Sequence, residues 1–153
     1  MNAPSSITPA IIAALYGEAL ALTEEARATF AAASDAPAGS EAQVALSCEA
    51  LRTTTRLMHA LAWLLNHRAY FAGQLSEFQL RRHGRLPPAQ PPATADPALL
   101  APAVVDLVAR SIALYARLGR LDRNWRARYA LAPSAIERLR ERLAEQVEGP
   151  ADQ

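Results

Sequence analysis

The chain has 153 residues, a mass of 16.5 kDa and a pI near 8.0, a length that fits one ordinary domain with a core of its own. All sixteen basic residues are arginine, set against fifteen acidic side chains, for a formal charge of +1; that balance announces no nucleic-acid or membrane partner, and the absence of lysine excludes Schiff-base or phosphate-loop lysine chemistry. The single cysteine, Cys48, excludes an intramolecular disulfide and a cysteine-based zinc site, and the lack of a signal-like start or an apolar run of about 18 residues predicts a soluble cytoplasmic protein.

Residues 1–8 read as a flexible N-terminus, and Thr8-Pro9 as a helix start, with a capping hydroxyl before a proline already set for the first helical position. Ile12, Leu15, Ala19, Leu22, Ala26, Phe30 and Ala33 then recur at three- and four-residue steps, which predicts a first amphipathic helix from Pro9 to about Ser34. Asp35 to Gly39 breaks the pattern, and Ser40 with Gln43 has the spacing of a capping box. A second helix is expected from Glu41 to about His83, roughly 60 Å long unless Gly73 kinks it, with a left-handed stop at Gly84.

Six of the eleven prolines fall between Leu86 and Pro102, so residues 86–98 are expected to form an extended crossover able to reach back along the second helix. The heptad Leu100, Leu107, Leu114 and Leu121, interleaved with Val104, Ser111, Leu118 and Trp125, predicts a third long helix, continuous only from Pro102. Ile136, Leu139, Leu143 and Val147 form a stripe on a short, marginal C-terminal helix within residues 132–153. No strand or hairpin signal competes. The expected fold is all-α, with residues 9–131 as an up-down-up antiparallel bundle of three long helices.

No catalytic constellation accompanies this fold. The Gly-rich phosphate loops, G-x-S-x-G and H-E-x-x-H patterns are missing, so neither catalytic nor cofactor residues are expected. His59 and His67 stand about 12 Å apart along one helix, too far to share a metal ion. Cys48 lies beside Val44 and Leu51 and is expected to be a small core residue.

The second helix carries more apolar rows than one bundle core uses. Val44, Leu51, Met58 and Leu65, with Cys48, Thr55, Ala62 and Ala69 beside them, are expected to form a core seam. Leu57, Leu64, Phe71 and Phe78 form a second row, facing the core or a dimer partner. A third stripe contains Arg52, Arg56, Trp63, His67, Tyr70 and Arg81; tryptophan, tyrosine and arginine on an outer face are what interface hot spots use, so this stripe is the expected partner-binding face. Charge is also uneven: residues 1–51 hold one arginine against six acids, net −5, and residues 52–90 hold six arginines against Glu77, net +5. On the third helix Arg110, Arg117, Arg120, Arg123, Arg126 and Arg128 form a basic region, and with Trp125 and Tyr129 its stretch from Arg120 to Tyr129 reads as a basic aromatic patch. It suits an acidic protein partner or, as the alternative, nucleic acid.

The run from Leu51 to Ser76, above all Thr54, Arg56, Leu57 and Met58 followed by Trp63, Leu64, Leu65 and Arg68, resembles the signature helix of the regulator-of-CtrA-degradation family of alphaproteobacteria. The likeness extends over about Ile12 to Arg128. It implies a dimeric three-helix bundle without enzymatic activity, an adaptor that helps present cell-cycle regulators such as CtrA to the ClpXP protease. The partners it implies are the ClpX and ClpP system, a response-regulator protein, further adaptors and transcription-factor cargo, and it implies recruitment to a cell pole. No individual adaptor contact transfers with it. Arg52, Arg56, Trp63, His67, Tyr70, Arg81, Arg123 and Arg126 are the partner-binding candidates read from the helical faces themselves.

Overall fold

The computed structural model describes residues 7–130, 138–140 and 142–143, and all regular structure among the described residues is helical. Helix α1 spans Pro9–Ala32, α2 Glu41–Phe71, α3 Glu77–His83 and α4 Pro102–Ala130, with a 3-10 turn at Pro97–Leu99. Residues 1–6 of the expected N-terminus and most of the expected C-terminal helix lie outside the described residues, while Ile7 packs against the core and Thr8 caps α1.

The first two caps follow local chemistry. The Thr8 hydroxyl accepts from the Ile11 amide at 3.2 Å, and Ser40 accepts from the Gln43 amide at 3.2 Å. Gln43 reaches Gly39 N–H instead of closing a reciprocal box on Ser40. Helix α1 buries Ile12, Leu15, Ala19, Leu22 and Ala26, with Phe30 packed at the edge.

The expected 60 Å second helix is shorter. It ends at Phe71, a length of roughly 46 Å, because Gly73 takes the left-handed conformation at φ +73° and turns the chain. Ser76 and Gln79 then form a reciprocal capping box, with bonds of 3.2 and 2.9 Å, and α3 starts afresh. Gly84 does follow α3, but at φ −91° it is not left-handed. Its need for a glycine is steric, since a Cβ there would meet the Leu80 carbonyl oxygen at 2.7 Å.

The contacts also correct the expected up-down-up order. Helix α1 runs antiparallel to α4, because Glu25 pairs with Arg110 and Glu18 with Arg117. It is antiparallel to α2 as well: Arg68 lies over the Tyr16 ring at 4.5 Å, while Phe30 shares a cleft with Ala50 and Thr54. Helices α2 and α4, however, are parallel, since Arg56 meets Ser111, Trp63 meets Asp122 and His67 meets Trp125 in ascending register. The proline-rich crossover makes this possible. Residues 85–101, extended at about 3.1 Å each, span roughly 50 Å, enough to return the chain to the start of α2. Tyr115 Oη donates to the Pro87 carbonyl at 2.8 Å, the Arg52 guanidinium donates to that of Pro91, and Leu99 reaches the cleft beside Glu41 and Cys48.

Candidate protein-interaction surfaces

Helix α2 has two neighbours in the bundle, and the face it turns to α4 is its polar one. Glu49, Thr53, Arg56, Trp63 and His67 are all buried. Trp63, expected on the outer face, is 2% exposed and His67 1%; the partner-binding assignment of Arg56, Trp63 and His67 is therefore corrected. Each side chain enters the interior with a partner, which offsets the desolvation that otherwise opposes burial. Arg56 Nη1 donates to Ser111 Oγ at 2.7 Å, and Trp63 Nε1 donates to Asp122 Oδ1 at 2.9 Å. His67 Nδ1 donates to the Trp63 carbonyl at 3.1 Å, leaving Nε2 buried without a partner. The imidazole stacks obliquely on Trp63, with centroids 3.9 Å apart, and meets Trp125 edge-on at 5.7 Å.

Electrostatics follow from this burial. Burial pushes the His67 imidazole below its ordinary pKa and the Arg56 guanidinium below its own. Asp122, buried on α4, accepts from Arg126 Nε through both oxygens at 3.1 Å while it holds the indole. Arg126 Nη1 continues to the Arg81 carbonyl at 2.9 Å, so one carboxylate ties α2, α4 and, through Arg126, the end of α3. Asp122 and Ser111 are the site residues that residue type alone left unassigned. Their signal was a serine inside the Leu107/Leu114 heptad and an acid isolated among arginines.

The remaining candidates divide. Arg52 is half-buried and faces Glu49 at 3.6 Å as well as Pro91. Tyr70 is half-buried against Phe71. Arg81 and Arg123 are exposed, and Arg126 is half-buried. Of the second apolar row, Leu57 and Leu64 belong to the core, whereas Phe71 and Phe78 are exposed.

The seam expected to form the core faces outward instead. Val44, Leu51, Met58 and Leu65 are all exposed, Leu51 at 71% and Met58 at 64%, and Cys48 between them is exposed too. With Thr55, Ala62 and Ala69 the row alternates steps of four and three along α2, the spacing with which one helix meets another in a coiled coil. The physical reason for the exchange is that α1 takes the Leu57/Leu64 side and α4 takes the polar side, so that among the described residues no helix covers this row, which only borders the crossover near Leu99 beside Val44, Cys48 and Leu51 and the edge of α1 beside Met58.

The acidic surplus of the N-terminal third is met chiefly across the α1/α4 interface. Besides Glu18 with Arg117, Glu25 accepts from Arg110, which holds the Glu25 carboxyl below the usual carboxylate range. On α4, Trp125 is buried at 8% exposure, which removes it from the expected basic aromatic surface. Among the described residues no three His, Cys, Asp or Glu side chains are grouped to hold a metal ion, and no helix is long and apolar enough to cross a membrane.

A family model described as a protein of unknown function, DUF1465, matches residues 3–147. Neither a curated protein nor a solved structure gives a significant match.

Proposed function

The chain belongs to the DUF1465 family, whose function is unknown, and we propose that it is a non-enzymatic adaptor that binds protein partners and helps deliver CtrA-like cell-cycle regulators to the ClpXP protease. The observation that carries the protein-binding part is the exposed Val44/Leu51/Met58/Leu65 seam. An apolar row of this length on one helix loses free energy in water and gains it against a second helix. Its regular four-three spacing suits a helix from another chain, and a second copy of this protein satisfies it as a homodimer. The protease connection is supported by the sequence resemblance around Thr54 to Arg68.

The test has two arms. Added to purified ClpXP with a CtrA-like substrate and the priming response regulator, the protein is expected to raise the degradation rate; an unchanged rate overturns the protease assignment. Capture from nuclease-treated lysate is expected to recover ClpX or transcription-factor cargo. Recovery only when nuclease is omitted would favour the nucleic-acid alternative, which the burial of Trp125 already weakens by removing a stacking surface.

A further inference from the structure

A further cavity lies apart from the seam and the polar interior. It lies between the start of the crossover and α4, has a volume of about 720 Å³, and is lined by Arg85, Leu86, Pro87, Tyr115, Arg120 and Arg123 among others. Exposed arginines elsewhere on α1 and α4 meet carboxylates: Arg27 with Glu24, Arg110 with Glu25 and Asp106, Arg117 with Glu18. Arg85, Arg120 and Arg123 are exposed and have no such ion pair among the described residues. The one acid on the cavity wall, Asp122, is already committed to Trp63 and Arg126. Three guanidinium groups therefore face one cavity without a balancing carboxylate.

Two contacts shape this wall. Arg123 folds back over Gly119, so closely that a Cβ at that position would lie 3.3 Å from Nη1. Tyr115 pins the wall through its bond to the Pro87 carbonyl. Leu86, Pro87 and Ala116 supply an apolar floor, and no exposed aromatic ring lines the cavity, since Tyr115 is buried.

We propose that Arg85, Arg120 and Arg123 form a docking cradle for an acidic peptide segment of a protein partner, its carboxylates on the guanidinium groups and a neighbouring apolar side chain on the Leu86/Pro87 floor. Arginine's planar fork binds carboxylates in two-point fashion, and the apolar floor suits a peptide better than a nucleic-acid strand, whose bases need aromatic faces. The proposal rests on the protein-binding reading above and names one chemistry for its partner.

The probe is a short fluorescein-labelled peptide of glutamates flanking two leucines, followed by anisotropy against the full chain at low and moderate salt. Wild-type protein is expected to bind at low salt. R120E and R123E are each expected to weaken binding, with R27E, the same change of net charge as either single variant but on α1, within about twofold, and R85E/R120E/R123E is expected to weaken it by about tenfold or more. R85Q/R120Q/R123Q, checked by circular dichroism, covers the case in which charge reversal disturbs the fold. Failure of the wild type to bind, equal loss in R27E, or tight binding of a single-stranded oligonucleotide that the peptide does not displace each overturns the proposal. No protease is present, so these outcomes bear on the cradle alone, while an unchanged ClpXP rate bears on the adaptor reading alone.

Discussion

Helices α1 and α2 are long neighbours, but α1 buries only apolar side chains while α2 buries a polar row beside its apolar one. Helix α1 buries an unbroken apolar stripe, Ile12 to Ala26. Helix α2 turns Glu49, Thr53, Arg56 and His67 inward and leaves Val44, Leu51, Met58 and Leu65 in water. The difference teaches that a neighbour's chemistry, not hydropathy alone, decides which face of a helix is buried. Because α4 offers Ser111 and Asp122 at the heights of Arg56 and Trp63, the Arg56 guanidinium and the Trp63 indole on the polar face of α2 enter the interior hydrogen-bonded.

The sharpest way to break this comparison is Trp63→Ala. The substitution removes a fully buried ring and its bond to Asp122, and is expected to cost about 3–5 kcal/mol in urea unfolding. A loss below about 1 kcal/mol would return Trp63 to the surface. Asp122→Ala leaves the Trp63 indole and the Arg126 guanidinium without their acceptor and is expected to cost about 3 kcal/mol. Asp122→Asn keeps the shape and an acceptor for the indole and loses only the charge facing Arg126, so it should cost less than Asp122→Ala.

A pH series sharpens the same point. The pKa of His67 is lowered by burial, with Asp122 and Arg126 as its nearest charged groups, so the unfolded chain takes up a proton more readily than the folded one. Stability carried by neutral His67 is full above the ordinary value of 6.5 and is lost as pH falls below it toward the depressed folded value. In His67→Gln that part of the acid dependence should vanish from unfolding curves measured between pH 7 and 5. An unchanged slope would place the imidazole in contact with water.

What could be read from residue order was what depends on one helix at a time. The stripe of α1, the heptad of α4, the Thr8 and Ser40 caps, the start of α4 at Pro102 and the extended crossover all follow from local spacing and cap chemistry. Gly73 was legible as a weak point of α2, but the continuing apolar rhythm of Leu75 and Phe78 concealed that the helix stops there and restarts at the Ser76-x-x-Gln79 cap. Gly73→Ala should cost about 1 kcal/mol, because the alanine must adopt φ +73°. The faces of α2 were not legible, since their burial depends on α4 lying parallel to it, and that follows from where an extended proline-rich segment delivers the chain.

The smallest stability effect is expected where residue type alone would forecast the largest. Leu51→Asp with Met58→Asp places two charges on what reads as a core heptad, and a buried seam would be expected to unfold under that change. Both side chains are exposed, so the double variant should keep its helical dichroism and unfold within about 0.5 kcal/mol of the wild type at concentrations where the chain is monomeric. Its effect should fall on association. If the seam receives a second copy, sedimentation shows a concentration-dependent dimer in the wild type and a monomer in the variant, and the wild type gains apparent stability with concentration while the variant does not. A wild type that stays monomeric at high concentration would remove the second copy and leave the seam for a helix of another protein.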